Sequence, residues 1–281
     1  MDKAEIIQNS KESSKFNFNT KLKKLLKSIM FIFIIIYAVL IFAAVFLSNK
    51  LMFPAPPSSY QNLKDTKELI LDDNSKITLL TKQPIGKADL TILYNHGNAV
   101  DLGKIEGKLQ KIATYLNAEV ISYDYPGYGT STGSPSESSL TTAAEAVYKH
   151  IIKNLPENRK LLIWGRSIGT GPATFLAAKH PGHSLILESP FISAFRVVTH
   201  IQILPFDKFP NYKRITKINA PLLIIHGKKD KIIPFYHGKT LFNKALQPKE
   251  SLWLEDAGHN DLSYEEPLKY WNTIKKFSGK L

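Results

Sequence analysis

Ser167 stands between two glycines in the run LLIWGRSIGTGP at 161–172. Four apolar residues lead into it and a helix-compatible stretch follows. The G-x-S-x-G spacing is what a nucleophilic serine needs on a sharp strand-to-helix corner. Side chains at 165 and 169 would collide in such a corner, and glycine removes them. A helix beginning near residue 168 would point its free N–H groups at the hydroxyl. They would favour the oxyanion formed when Ser167 adds to a carbonyl. The same five residues also fit a tight turn with a spectator serine. The order of the surrounding elements favours the nucleophile.

A serine hydroxyl is a poor nucleophile without a base. Five of the eight histidines, His150, His180, His183, His200 and His237, fall on or near helices or in an irregular stretch. His96 and His226 end apolar runs. His259 lies in EDAGHND after the last apolar run, and the chain order serine, acid, histidine puts the base last. His259 is therefore the expected base. The expected acid is Asp230, which alone carries a carboxylate in HGKKDKIIP at 226–234. It would hold the His259 tautomer and stabilise the imidazolium. Glu188, at another strand end, and Asp207 are rivals. Asp256 is three residues from His259 and too close in the same loop.

The oxyanion needs two N–H donors. Ile168, next to the serine, should supply one, and YNHGNAVDLG at 94–103 the other. There Gly97 would let the backbone approach, and Asn98 is preferred to Ala99 as donor. The alternative for the Asn98 side chain is to cap the next helix.

These residues need strand ends to hold them. Strands are expected at 68–72, 76–81, 89–94, 119–123, 160–164, 184–188, 221–226 and 251–255, the first two as a hairpin around DDNS. Helical spacing of apolar residues marks 103–117 and 137–153. Further helices are expected at 168–179, 236–246 and 265–277. Strands alternating with helices imply parallel crossovers, so the fold class is α/β, a mostly parallel eight-stranded sheet with helices on both faces. The stretch 190–219, rich in aromatics and prolines, reads as a cap-like excursion over the carboxyl ends of the strands, where open α/β sheets place ligands. Its Phe191, Phe195, Phe206 and Phe209 suit either an acyl groove or the core. YDYPGYGTSTG at 123–133 lacks the spacing of a phosphate-binding loop and reads as a structural loop beside the site.

The N-terminal part differs. IMFIFIIIYAVLIFAAVFL at 29–47 carries no charge and, at about 1.5 Å per residue, matches the roughly 30 Å hydrocarbon core. It ends in large residues rather than a small-x-small site, which favours an uncleaved anchor over a signal peptide. Lys21, Lys23, Lys24 and Lys27 precede it. Positive flanks stay in the cytoplasm, so the catalytic domain is expected on the non-cytoplasmic side of a single-pass membrane protein. The expected organisation is a basic N-terminal segment over 1–28, a transmembrane anchor over 29–48, a proline-rich linker over 49–60 and a hydrolase domain over 61–281. Residues 1–20 are polar and read as disordered.

The net charge is +13, and eight lysines against three acids lie within residues 1–50. The other lysines are scattered, without any nucleic-acid-binding pattern, so anionic lipid is the easier partner and no nucleic acid is expected. The chain has no cysteine, which excludes disulfides and a cysteine nucleophile. No metal-ligand spacing is present, and no cofactor is expected.

HGNAVDLG at 96–103, SYDYPGYGTSTGSPSE at 122–137, GRSIGTGP at 165–172, HGKKDKII at 226–233 and AGHND at 257–261 occur in that order. With FPAPPSSY at 53–60, they resemble the α/β-hydrolase superfamily and, within it, the Bem46-like serine hydrolases. The nearest resemblance is to the α/β-hydrolase-domain protein depalmitoylases, over about residues 50–278. It implies an α/β-hydrolase fold with Ser167, Asp230 and His259 as nucleophile, acid and base. It further implies a membrane-anchored serine hydrolase cleaving acyl thioesters or esters of a protein or lipid at a bilayer surface. Two departures stand out: Arg166 replaces the group's glutamine, and an apolar segment replaces its lipidated N-terminal cysteines. The alternatives are a carboxylesterase or lysophospholipase-like lipid esterase, and a non-catalytic membrane scaffold.

Overall fold

The computed structural model of the protein describes residues 3–280. The chain forms two compact units that divide between Met52 and Phe53. The first consists of helices α1 (Lys3–Phe46) and α2 (Ser48–Met52). Within α1, Phe18–Phe46 has a mean hydropathy of 3.1 and is long and apolar enough to cross a membrane. Helix α1 starts upstream of this stretch, so the polar residues from Lys3 to Thr20 are helical and not disordered as their composition predicts.

The second unit is built on eight strands: β1 (Thr66–Ile70), β2 (Lys76–Lys82), β3 (Leu90–Asn95), β4 (Ala118–Tyr123), β5 (Lys160–Arg166), β6 (Ser184–Glu188), β7 (Leu222–Gly227) and β8 (Lys249–Leu254). Their order in the sheet is β1-β2-β4-β3-β5-β6-β7-β8. Strand β2 pairs antiparallel with both β1 and β4, and every other pairing is parallel. All eight expected strands are present. The first ends two residues early because the Leu71 and Ser75 backbones close the turn, with Asn74 at φ +61°.

The helices of this unit are α3 (Leu102–Leu116), α4 (Glu137–Asn154), α5 (Thr170–Lys179), α6 (Arg196–Thr199), α7 (Asn211–Arg214), α8 (Tyr236–Lys244), α9 (Leu262–Glu265) and α10 (Pro267–Ser278). Strands β3 and β7 are buried along their whole length, which is why they read as unbroken apolar runs. One face packs Ile92, Tyr94, Trp164 and Ile186 against Ile105, Leu109 and Ile112 of α3 and Tyr270, Trp271 and Ile274 of α10. Helices α5 and α8 pack on strands β5 and β7, and α4 packs on α5.

Local chemistry fixes the ends of the helices near the site. The Asp101 side chain accepts from the Lys104 amide and caps α3. It also accepts from Ser59 N at 2.6 Å, tying down the proline-rich segment. Ser136 and Ser139 form a reciprocal capping box at the start of α4. Residues 190–219 hold only short helices, α6 and α7 among them. In this stretch Phe191 and Phe209 are fully buried, with ring centroids 6.2 Å apart, and belong to the core. Phe195 and Phe206 pair at 6.0 Å and are only half-buried.

Candidate active site

Strand β5 ends at Arg166, and a single 3-10 turn over Ser167–Gly169 joins it to α5. Ser167 takes φ +53°, a left-handed conformation that is rare for a residue with a side chain. The two glycines are required by contact. A Cβ at Gly169 would lie 2.2 Å from the Asn95 carbonyl oxygen. A Cβ at Gly165 would lie 2.6 Å from both Ala173 Cβ and the Gly169 carbonyl oxygen. Any other residue at either position would push the serine off its corner.

The loops after β7 and β8 bring the other two residues to the serine. His259 Nε2 lies 3.0 Å from Ser167 Oγ, and His259 Nδ1 lies 2.7 Å from Asp230 Oδ2. All three side chains are buried. The carboxylate keeps its aim because Asp230 Oδ1 accepts from the amides of Ile232 at 2.9 Å and Ile233 at 2.8 Å. His226 Nε2 lies 3.4 Å from Asp230 Oδ2 and donates to the Ile233 carbonyl at 2.8 Å. Burial opposes ionisation of Asp230, but hydrogen bonds from His226 and His259 outweigh it and hold the carboxyl well below its usual range. Such a series can accept the serine proton on Nε2 while the carboxylate fixes Nδ1–H.

The rival acids are occupied elsewhere. Glu188 accepts from Tyr270 Oη at 3.2 Å and Trp164 Nε1 at 3.3 Å and pairs with Lys108 and Arg166. Asp207 pairs with Arg196 at 3.2 Å, and Asp256 with Lys229 at 2.6 Å.

The 94–103 loop reaches the serine where Gly97 lacks a side chain: a Cβ there would lie 3.7 Å from Ser167 Cβ. The Asn98 side chain accepts from Tyr128 Oη at 2.5 Å and from the Ala99 amide at 3.1 Å. Asp101, not Asn98, caps the following helix. The YDYPGYG loop lies under this one. Tyr125 Oη donates to the His96 carbonyl at 2.6 Å, and the two rings stack at 4.1 Å. His96 is fully buried, and burial lowers its pKa.

Sequence reasoning left Arg166 unexplained, and did not assign roles to Tyr125 and Tyr128. Arg166 Nη2 donates to the His259 carbonyl at 3.1 Å and to Asn260 Oδ1 at 2.9 Å. Its Nε lies 3.4 Å from Glu188 Oε1. Its Nη1 faces Gly97, where a Cβ would come within 2.7 Å. One guanidinium thus touches the loop of His259, the loop of Asn98 and a buried carboxylate. The signal was its place beside the nucleophile, but the β5–β6 register that sets Arg166 against Glu188 is not visible in the sequence. Among the described residues, no three His, Asp or Glu side chains group as metal ligands would.

The alpha/beta hydrolase fold family matches residues 91–202. Human alpha/beta hydrolase domain-containing protein 17B is 40% identical over 222 residues, covering 76% of each chain. The Xenopus tropicalis 17B protein is 42% identical over 195 residues, covering 66% of this chain and 67% of its own. Among solved structures, the Pyrococcus furiosus esterase Pf2001 superposes with a TM-score of 0.66 at 17% identity, covering 81% of this chain and 97% of its own. Mouse alpha/beta hydrolase domain-containing protein 10 does so with a TM-score of 0.60 at 15% identity, over 76% and 98%. At these identities the two structures speak to the fold alone. The human 17B match covers more than two thirds of both chains, and the chain belongs to the α/β-hydrolase superfamily, as a relative of the alpha/beta hydrolase domain-containing protein 17 group.

Proposed function

We propose that the protein is a membrane-anchored serine hydrolase that cleaves long-chain acyl thioesters or esters at a bilayer surface. The observation that carries this reading is the continuous hydrogen-bonded series from Ser167 Oγ through the His259 ring to Asp230, built on a serine at positive φ. Ser167 Oγ attacks the acyl carbonyl while His259 Nε2 takes its proton. Asp230 holds the proton on Nδ1 and stabilises the imidazolium. The amides of Ile168 and Asn98 hold the oxyanion. His259 then protonates the departing thiol or alcohol. Water, deprotonated by the same nitrogen, releases the fatty acid and restores the serine.

The apolar stretch of α1 supports a single-pass anchor, and the lysines before it support a cytoplasmic N-terminus with the catalytic domain on the other side. The half-buried Phe195 and Phe206 suit the acyl chain; Phe191 and Phe209 do not, because they are in the core. The resemblance to protein depalmitoylases makes an acylated protein one substrate class. The expected topology favours the second class, a lipid ester, because a non-cytoplasmic site would not meet cytosolic acyl-proteins.

A fluorophosphonate probe tests the hydrolase reading. Labelling of the wild-type chain that disappears in Ser167→Ala is expected. A folded protein that never labels would leave a non-catalytic scaffold as the reading. Protease protection of a C-terminal tag in sealed membranes tests the topology. A tag digested from the cytoplasmic side would overturn it and restore cytosolic acyl-proteins as substrates.

A further inference from the structure

A cavity of about 440 Å³ opens beside the triad, on the α3–α10 side of the sheet. It is large enough for a small polar group and its nearest substituents. Lys104, Lys108, Lys111, Arg166 and a single acid, Glu188, supply the charges that line it. The three lysines follow at spacings of four and three along α3 and so form one stripe. Lys108 Nζ lies 3.3 Å from Glu188 Oε1 and 5.4 Å from the centre of the Tyr94 ring. Burial opposes ionisation of Glu188, but Lys108 and Arg166 outweigh it and hold the carboxyl ionised. Lys104 and Lys111 have no carboxylate within ion-pair distance among the described residues, and Lys111 Nζ sits 5.3 Å over the Trp271 ring. Four cations thus face one carboxylate. A larger cavity at the far edge of the sheet balances Lys67 and Lys82 against Asp65 and Glu119. An excess of positive charge in a low-dielectric cleft concentrates field and selects an anion.

Position ties the cavity to the reaction. Gly97 and Asn260 both line it. Gly97 belongs to the loop against Ser167, and Asn260 follows His259. The cavity therefore opens between the loop offered as oxyanion donor and the loop that carries the base. A departing thiol or alcohol would be protonated from His259 Nε2, on the second of these loops.

We propose that the cavity is a phosphate subsite on the leaving-group side of the hydrolase site. It would favour acyl esters whose alcohol carries a phosphate a few bonds from the scissile oxygen. The ammonium groups of Lys104 and Lys111 meet the phosphate, and Arg166 and Lys108 form the floor. The proposal rests on the hydrolase reading above and names its substrate class.

The test compares 1-palmitoyl lysophosphatidate with 1-palmitoylglycerol, which share the ester and differ in the phosphate. Wild-type protein in detergent micelles should prefer the lysophosphatidate in kcat/KM by about tenfold or more. Lys104→Glu/Lys111→Glu should erase most of that ratio, and Lys104→Gln/Lys111→Gln should reduce it in part. Both sites are exposed on α3, and Ser167-dependent fluorophosphonate labelling reports that each variant is folded. A wild-type ratio near one, or a ratio that neither variant changes, overturns the proposal. Inorganic phosphate separates a free ion from a substrate group: competitive inhibition against lysophosphatidate supports the leaving-group assignment, and noncompetitive inhibition overturns it. If neither ester is turned over, fluorophosphonate labelling of Ser167 still decides the hydrolase reading by itself. Lysophosphatidate binding to Ser167→Ala protein then still decides the subsite, with about tenfold weaker binding expected when the two lysines are reversed.

Discussion

Arg166 donates to the backbone carbonyl of His259, so the residue before the serine holds the loop that carries its histidine partner. The guanidinium is itself held by the buried Glu188. The group's glutamine could reach one of these partners; only the planar fork of arginine reaches both loops and the carboxylate together.

For an ester without a phosphate, Arg166→Met should therefore act through His259 and not through a substrate contact. A displacement of the base by about 1 Å is enough to cost on the order of a hundredfold in kcat. KM for a neutral ester should move much less. Steady-state kinetics that showed KM rising with kcat intact would point to a binding role instead. Removing Arg166 also costs about 2 kcal/mol, because the buried Glu188 loses one of its two cations and keeps only Lys108. Adding Glu188→Gln should recover part of that loss in a denaturant titration.

Asp230→Asn should lower kcat by roughly 10⁴-fold, since the amide presents the wrong partner to Nδ1. Glu188→Gln alone should leave far more activity, because Glu188 contacts Lys108, Arg166, Trp164 and Tyr270 rather than His259. A Glu188 substitution more damaging to kcat than the Asp230 one would reverse the assignment of the acid.

Ser167 at φ +53° implies stored backbone strain. Ser167→Gly should be more stable than Ser167→Ala by about 1 kcal/mol, since glycine adopts the left-handed region without penalty. Both variants should be inactive. Gly169→Ala should fail to fold or lose its fluorophosphonate labelling, because its Cβ would collide with backbone rather than with a movable side chain.

Stability should fall on mild acidification through His237. Burial, with the nearby His226 and His200, lowers its pKa to about 4. Its Nδ1 accepts from the Ile192 amide at 3.2 Å, which requires the neutral ring. A histidine depressed in the fold binds its proton in the unfolded chain first. Its contribution, about 3 kcal/mol, is complete above the unfolded value of about 6.5 and is lost as pH falls towards 4. Asp230, also depressed, adds a further loss only below the ordinary carboxylate value near 4. Denaturant midpoints at pH 7, 5.5 and 4.5 check the first window. His237→Gln should flatten it.

The eight strands, the long helices between them and the serine corner were legible in the sequence, whereas the short helices α6 and α7 and the break between α9 and α10 were not. Periodicity and glycine placement are local, and parallel strands buried on both faces leave unbroken apolar runs such as LTILYN in β3. The sequence also ordered Ser167, Asp230 and His259 along the chain. The tertiary structure alone decided that Asp230, and not Glu188, contacts His259. Asp230 and Glu188 both stand at strand ends, and only the sheet order turns one towards His259 and the other towards Lys108 and Arg166. The same holds for Arg166 and for the stripe of lysines on α3. A charge in the sequence has no direction until a strand register and a helix face give it neighbours, and here those neighbours lie tens of residues away.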